Sequence, residues 1–199
     1  MSGTRTYRMD TRALAMAATR ERIVEAAADA FSESWYEDVT VRAVAAAAGV
    51  ALQTVQNHFP TKDDLFVAAA ERITSRIASV RWNVEPGDLE GALSTLLDDY
   101  ERTGDSIMRM LAVEPRVPIV QPHLALGRRK HEQWVELVFA PLLTDLRGAA
   151  RRRRVAQLVV ITDVYTWKLL RRDKGLDRKQ TIEAMRELVL ALGTGGGPE

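Results

Sequence analysis

Apolar residues recur along most of the chain at the three- and four-residue spacing of an amphipathic helix. From Arg20 onward, Ile23, Ala27 and Phe31 lie four residues apart, on one helical face. The later stretch 158–170 is apolar on nearly every side, and such a helix must be covered all round. No segment shows the two-residue alternation of a strand. The pattern therefore predicts an all-α fold.

Two short helices follow the first one. Thr40 is a plausible N-cap for a helix over 41–48, which ends at Gly49, a residue able to adopt positive φ. A third helix, about 52–59, is stopped by Pro60, because proline disfavours helix at the residue before it. This pair, joined by a glycine-containing turn, has the length and spacing of a helix-turn-helix.

A longer helix begins after the short pair. Thr61 and Asp64 have the spacing of a capping box, which opens a helix that runs to about residue 80. The segment 83–88 contains Pro86-Gly87 and is the best boundary within the chain. Beyond it we expect helices at about 88–101, 104–113, 123–139 and 151–173, and a last one capped by Asp177 and Gln180.

Composition excludes several classes of protein. The chain has 199 residues, 46% hydrophobic and 28% charged, which excludes wholesale disorder and suits one domain or a small module joined to a larger one. Without cysteine there is no disulfide, thiolate zinc site or cysteine nucleophile. No apolar run approaches the roughly 18 residues that span a bilayer, and no apolar segment follows the N-terminal arginines as in a secretory signal. We expect a cytoplasmic protein with no membrane partner.

Net charge alone argues against a nucleic-acid partner, but its distribution does not. The 28 basic and 27 acidic side chains leave a formal charge of only +1, whereas DNA-binding domains usually carry an excess of Lys and Arg. The segment 23–38 has acids and no bases, and 39–62 has no acid at all. The acid-free segment coincides with the predicted helix-turn-helix.

The second short helix carries side chains suited to reading bases. In a helix-turn-helix this helix enters the major groove with its N-terminal residues at base edges. Gln and Asn can each form a bidentate pair with adenine. The candidates for base contacts are Leu52, Gln53, Thr54, Gln56 and Asn57.

A resemblance to the DNA-binding domain of the TetR family of bacterial repressors covers about residues 19–66. It is carried by Thr19-Arg20-Glu21-Arg22-Ile23, Ala30-Phe31, Val39-Thr40-Val41-Arg42, Ala48-Gly49-Val50, Thr54-Val55 and His58-Phe59-Pro60-Thr61-Lys62. The segment 167–176 also resembles the end of the penultimate helix in many members.

The resemblance implies an all-helical homodimer of about nine helices. Three N-terminal helices would bind a DNA operator, the fourth would link them to the core, and the last two would pair with their twins in a four-helix bundle. The implied organisation is a flexible basic arm over 1–18, a DNA-binding domain over 19–66, a ligand-binding and dimerisation domain over 67–192, and a disordered tail over 193–199.

The family pattern also assigns backbone contacts. It places Thr40, His58 and Lys62 near DNA phosphates and Arg42 near the rim of the groove. Two positions depart from the pattern. Ala51 stands where the family usually has Ser or Thr, so the recognition helix loses its side-chain N-cap, and Gln56 stands where it usually has Tyr.

The resemblance implies a cavity for an unidentified small-molecule effector in the second half. Met108, Trp134 and Tyr165 are candidates to line it, although residues of this kind at helical spacing more often belong to an ordinary core. His123 and His131 lack a third ligand nearby, so we expect no metal and no cofactor. The arginine run 151–154 would lie far from the DNA helices and is interpreted as a solvated helix start.

Two other functional classes, an enzyme and a protein-binding module, compete with the regulator. The chain contains no GxxxxGK[ST], HExxH or GxSxG motif and no GxGxxG after a strand, which argues against an enzyme. A protein-binding helical module remains an alternative. The sequence predicts a DNA-binding transcriptional regulator, a repressor released from a palindromic operator by a ligand.

Overall fold

The computed structural model describes the backbone of residues 3–194 and the side chains of 13–77 and 81–193. No strand occurs within these residues, and the predicted all-α fold is confirmed. The helices are α1 (Gly3–Glu33), α2 (Val41–Ala47), α3 (Leu52–His58), α4 (Lys62–Arg81), α5 (Leu89–Val113), α6 (Gln121–Val138), α7 (Gly148–Thr162), α8 (Val164–Lys168) and α9 (Arg178–Thr194), with 3-10 turns at Pro118–Val120 and Ala140–Leu142.

The chain divides into two compact units, and the division falls inside α4. One unit extends to Ser75 and the other begins at Arg76, whereas the sequence predicted a boundary after residue 66. The difference arises because α4 keeps packing in the first unit beyond that residue. Ala69 is fully buried, and Arg72 still forms ion pairs with Glu21 and Glu25 of α1.

The first helix is longer than the sequence predicted. It begins at Gly3 instead of near Arg20, and the flexibility of the arm over 1–18 stays a prediction. The physical reason is local: no proline or glycine interrupts residues 4–33, and 13–18 are Ala, Leu and Met, all strong helix formers. The side chains of 13–18 are exposed. Those of Arg5, Arg8 and Arg12 lie outside the described residues.

The core of the first unit joins α1 to α4 through aromatic rings. The predicted face of α1, formed by Ile23, Ala27 and Phe31, is buried as expected. Phe31 meets Phe66 of α4 edge to face at a centroid distance of 5.1 Å, and Tyr36 stacks on Phe31 at 5.7 Å. Tyr36 also meets Phe66 edge to face at 5.3 Å. The segment between α1 and α2 is thereby held against both long helices.

The second unit differs from its predicted helix boundaries in two places. The helices expected at 88–101 and 104–113 form one helix, α5, which continues through Thr103 and Gly104. The Thr103 hydroxyl donates to the Asp99 carbonyl at 2.8 Å within this helix. The single helix expected over 151–173 is instead broken at Asp163, whose backbone is extended. The Asp163 carboxylate accepts a hydrogen bond from the Tyr165 amide at 2.9 Å and starts α8.

The stretch 158–170 is not covered on all sides within one chain. Val160 is 65% exposed, and Tyr165 and Leu169 are each 52% exposed. Other members of the stretch are buried, among them Leu158 and Trp167. After α8 the chain makes a π-helical turn over Leu169–Asp173, and α9 then opens with the predicted reciprocal cap: Asp177 and Gln180 exchange hydrogen bonds at 2.9 and 2.8 Å. Of the predicted tail, 193–194 belong to α9 and 195–199 lie outside the described residues.

A glycine lets α8 dock closely on α5. A Cβ at Gly104 would lie 2.4 Å from the ring of Trp167, which is fully buried. The π-helical turn reinforces this contact, since Arg171 Nε donates to Glu101 at 2.5 Å and Arg172 binds Asp105 at 2.9 Å. The segment 167–176, which carries part of the family resemblance, therefore packs on α5.

Gly104→Ala should destabilise the protein. The added methyl must displace the buried Trp167 ring, and overpacking of this kind costs about 1–3 kcal/mol, more than the roughly 0.5–1 kcal/mol that alanine gains over glycine in a helix. We expect the melting temperature to fall by several degrees, at about 2–4 °C per kcal/mol.

Gly127→Ala is the matched control. Gly127 lies in α6, and a Cβ there would meet no atom within 4 Å. That substitution should raise the melting temperature slightly through helix propensity alone. Equal shifts in the two variants, measured by circular dichroism, would contradict the close Gly104–Trp167 contact.

Candidate nucleic-acid interface

The helix-turn-helix forms as its capping residues predicted. The Thr40 hydroxyl accepts a hydrogen bond from the Ala43 amide at 3.1 Å and caps α2. Gly49 has a φ of +64°, and the Val50 amide then returns to the Ala45 carbonyl at 3.0 Å. Only glycine adopts this backbone without strain, so Gly49 sets the direction in which α3 leaves α2.

One face of the pair is apolar and buried. Val44 of α2 and Val55 of α3 are fully buried, and Ala45 and Phe59 are nearly so. Small side chains on α2 permit a close crossing of the two short helices. Because this face of α3 is buried, the opposite face, which carries Gln53, Gln56 and Asn57, is exposed to solvent.

The exposed face of α3 is internally ordered. Gln53 Nε2 donates to Asn57 Oδ1 at 3.0 Å, one helical turn away. Gln56 is exposed beside them, while Leu52, Thr54 and His58 are half-buried. The five predicted base-reading residues thus share one short helix, and two of them are already hydrogen-bonded to each other.

The start of α3 lacks a side-chain cap. Ala51 occupies the N-cap position with an extended backbone, and no side chain accepts a hydrogen bond there. This confirms the consequence predicted from alanine at position 51. A serine or threonine cap is typically worth about 1 kcal/mol, so α3 relies on burial of Val55 and on the turn at Gly49 for its placement.

The start of α4 is capped on both sides. The Thr61 amide donates to the Asp64 carboxylate at 3.0 Å, and the Asp64 amide donates to the Thr61 hydroxyl at 3.0 Å. This reciprocal pair is the predicted capping box. It places Lys62 in the first turn of α4.

Lys62 is held by a residue that sequence reasoning missed. Its Nζ lies 4.4 Å from the centre of the Tyr36 ring and donates to the Glu37 carbonyl at 3.2 Å. Tyr36 in turn donates its hydroxyl to Asp63. Burial lowers the pKa of Lys62, against the opposing effect of the acids nearby, and burial together with Asp63 raises the pKa of Tyr36. In the sequence, Tyr36 is an aromatic residue directly before two acids. It belongs to no helical pattern of apolar residues from which its position could be predicted.

The remaining predicted phosphate contacts differ in exposure. Thr40 and Arg42 are exposed at the start of α2, whereas His58 is half-buried at the end of α3. Glu37 and Asp38 adjoin the acid-free segment in sequence, and both act electrostatically on Lys62. The positive charge of the helix-turn-helix surface therefore comes mainly from Arg42 and Lys62, and less from a large patch of basic side chains.

The three candidates for an effector cavity occupy different environments in the second unit. Trp134 is fully buried, Met108 is partly buried against the core, and Tyr165 lies on the surface of α8. Among the described residues no hydrogen bond or ring contact joins these three. Their grouping as one cavity stays a prediction.

A buried polar cluster in the second unit was not foreseen. Arg81, the last residue of α4, has its guanidinium carbon 5.0 Å from the centre of the Tyr100 ring and 5.4 Å from that of Trp134. Its Nε lies 3.4 Å from Asp99 Oδ2. The Trp134 indole donates to the Arg81 carbonyl at 3.0 Å. Asp99 follows an apolar pair at 96–97 and gave no separate sequence signal.

His131 borders this cluster. Its ring stacks on Trp134 at 5.8 Å, and its Nε2 lies 3.1 Å from the Thr162 hydroxyl. Burial, with the neighbouring Arg81 charge, lowers the pKa of His131 to about 3, so the ring is neutral at physiological pH. Burial raises the pKa of Asp99, and the Arg81 charge opposes that rise. No group of three or more metal-ligating side chains occurs in the described part of the chain.

Comparison with known proteins identifies the first unit. Residues 23–69, which run from α1 into α4, match the family model for bacterial regulatory proteins of the tetR family. The chain is 34% identical over 84 residues to the transcriptional repressor AcnR of Corynebacterium glutamicum. The first unit therefore carries a TetR-family domain over residues 23–69. The AcnR match covers 42% of this chain and 43% of AcnR, so the chain spans less than half of that relative.

Two further comparisons extend beyond the DNA-binding unit. The transcriptional repressor KstR of Rhodococcus jostii is 28% identical over 180 residues, which cover 88% of this chain and 84% of KstR. The solved structure of the multidrug-binding protein EbrR, complexed with imidazole, superposes with a TM-score of 0.54 at 24% identity, covering 85% of this chain and 88% of EbrR. The structural likeness shows that the TetR fold continues through the second unit. AcnR and KstR are regulators, in agreement with the prediction that the chain is not an enzyme.

None of the described helices has the length and apolar character needed to cross a bilayer.

Proposed function

We propose that this TetR-family chain is a sequence-specific DNA-binding transcriptional repressor. The observation that carries the proposal is the division of α3 into a buried face, fixed by Val55, and an exposed face with Gln53, Gln56 and Asn57. Amide side chains on the exposed face of a recognition helix are suited to bidentate contacts with adenine in the major groove. The family match over 23–69 supports the same role for these helices.

The backbone contacts complete the proposed interface. Thr40 and Arg42 flank the start of α2, and His58 and Lys62 flank the turn between α3 and α4. Side chains at these helix ends would bind phosphates on either side of the groove and set the register of α3. Since the chain carries a net charge of only +1, nonspecific affinity should be modest and specificity should rest on geometry.

We propose that two copies act together. A two-fold dimer sets its recognition helices roughly 34–36 Å apart, which matches successive major grooves of a palindromic operator. The proposed contact is through the last helices, where apolar side chains lie exposed in the single chain. Val160, Tyr165 and Leu169 in the penultimate predicted segment and Leu188 and Leu190 in α9 are between 46% and 65% exposed.

Operator release by a small molecule is the proposed regulation. The helix α4 starts beside α3 at Lys62 and ends in the second unit at Arg81. A molecule bound in the second unit would displace the repressor by binding the DNA-incompetent conformation more tightly, about 1.4 kcal/mol for each tenfold change in affinity. EbrR, a multidrug-binding protein of the same fold that was solved in complex with imidazole, supports a small-molecule effector for this chain.

Lys62→Ala should weaken binding to all DNA sequences alike. One phosphate contact is lost, so the slope of log K against log salt should fall by about 0.9. Binding is measured by fluorescence anisotropy over a salt series, on a duplex obtained by selecting genomic fragments with the purified protein. Arg152→Ala, which removes an exposed charge from α7, should leave the slope unchanged.

The salt series also separates the classes of function. A flat response in the wild-type protein would overturn the repressor proposal and favour a protein-binding module. A Lys62→Ala variant with altered sequence preference and an unaltered slope would show that Lys62 does not contact phosphate.

Gln53→Ala should relax a single operator position. The variant loses one bidentate base contact, worth about 1–3 kcal/mol of discrimination, and frees Asn57 from its hydrogen bond. Affinities for a set of single-base operator variants report this directly. Gln157→Ala, an exposed glutamine on α7, is the control, and identical profiles for both variants would remove Gln53 from the reading set.

Leu188→Lys should convert the dimer to a monomer. The introduced charge would be buried against the partner copy, whereas in the single chain the side chain is 48% exposed and the fold should tolerate it. Sedimentation equilibrium measures the mass. Leu14→Lys, at a 71% exposed position on α1, should stay dimeric. A dimer that survives both Leu188→Lys and Val160→Lys would place the interface elsewhere.

A further inference from the structure

Several buried polar atoms of the second unit make no hydrogen bond. They include Nε and Nη2 of Arg81, Oδ2 of Asp99 and Oγ of Ser106. Ser106 lies two helical turns beyond Asp99 on the same face of α5. Buried polar groups are almost always paired in native proteins, because an unpaired one costs about 1–3 kcal/mol. A cluster of them in one region indicates a place where a further molecule completes the hydrogen bonds.

The Arg81–Asp99 ion pair is open, in the sense that it lacks the bidentate hydrogen bonds that two other arginine–carboxylate pairs of this chain form. Arg172 and Arg186 use the edge formed by Nε and Nη2 to bind carboxylates in a bidentate manner, at 3.2 and 2.9 Å to Asp105 and at 3.0 and 2.6 Å to Glu183. In Arg81, Nε lies 3.4 Å from Asp99 Oδ2, and neither Nε nor Nη2 forms a hydrogen bond. Both partners are far more buried than the surface pairs, with side-chain exposures of 12% and 2%.

The charge of the cluster restricts what it can bind. Arg81 and Asp99 cancel, and His131 beside them is neutral because burial lowers its pKa. Arg102 also acts electrostatically on Asp99, but its side chain is exposed to solvent, which screens its charge. A charged molecule would leave an uncompensated charge in a buried region, which is strongly unfavourable. A neutral molecule with an acceptor for Arg81 Nη2 and an adjacent donor for Asp99 Oδ2 would satisfy both orphaned atoms without that cost.

We propose that the open Arg81–Asp99 pair, flanked by the rings of Tyr100 and Trp134, recognises a neutral effector that presents a hydrogen-bond acceptor beside a donor, as a primary amide does. This inference rests on the proposed function, since it names the chemistry of the effector. Arg81 is the last residue of α4, and its carbonyl is held by the Trp134 indole. A molecule inserted at this pair therefore acts directly on the end of the helix that begins beside the recognition helix.

Three molecules of one shape and different charge test the proposal. Benzamide is neutral, benzoate is anionic and benzamidinium is cationic, and each offers two polar atoms in the same fork. The wild-type full-length protein should bind benzamide at least about tenfold more tightly than the other two, as measured by concentration-dependent thermal stabilisation. Equal or tighter binding of either ion, or no binding of benzamide, would overturn the proposal without any variant being needed.

Substitutions that change the charge of the Arg81–Asp99 pair should then change which of the three molecules binds most tightly. Asp99→Asn leaves Arg81 uncompensated and should favour benzoate, and Arg81→Gln leaves Asp99 uncompensated and should favour benzamidinium. Asp105→Asn, in the exposed pair with Arg172, is the matched control and should keep the wild-type order. An order of the three molecules that is the same in every variant would show that the pair does not recognise them.

Operator binding, measured in the same samples, separates the two proposals. Loss of operator affinity on adding benzamide supports effector recognition at this pair. Operator binding with no response to benzamide overturns the effector chemistry and leaves the repressor function standing. Failure to bind DNA at all contradicts the repressor function itself.

Discussion

The arrangement of the second unit around the end of α4 depends on one buried residue. Arg81 is held through its carbonyl by Trp134, through its charge by Asp99 and through its guanidinium plane by two aromatic rings. Each of these partners comes from α5 or α6, so the last turn of α4 is tied into the core by side chains from two other helices. A buried ion pair that is not closed stabilises little by itself. Its value lies in defining one position for the helix end.

The opposite end of α4 is fixed by local chemistry. The Thr61–Asp64 capping box starts the helix, and the Tyr36 ring beneath Lys62 joins it to the segment after α1. The neighbouring helix α3 has no such support at its start, because Ala51 supplies no cap. It is short, and it is placed by Gly49 and by the burial of Val55. A small displacement of the start of α4 would therefore shift α3, since the two helices are separated by only three residues.

Features set by neighbouring residues were predictable from sequence. The caps at Thr40, Thr61 and Asp177 and the positive φ of Gly49 depend on atoms within a few residues, and all formed as expected. The extension of α1 to Gly3 was missed although its cause, an uninterrupted run of helix formers, is also local. At Asp163 the chain can either continue the helix or start a new one with an aspartate cap, and the structure shows the cap. The apolar residues on both sides fit a continuous helix, so the sequence pattern did not predict the break.

By itself the sequence determined the all-α class, the helix-turn-helix, the polar face of α3 and the family. These follow from hydrophobic spacing, capping and turn chemistry, which act over a few residues. Only the tertiary structure decided which groups meet across long separations. Tyr36 beneath Lys62, Gly104 against Trp167, and Arg81 beside Asp99 join residues from different elements. Such contacts depend on how whole helices pack, and no local pattern along the chain encodes them.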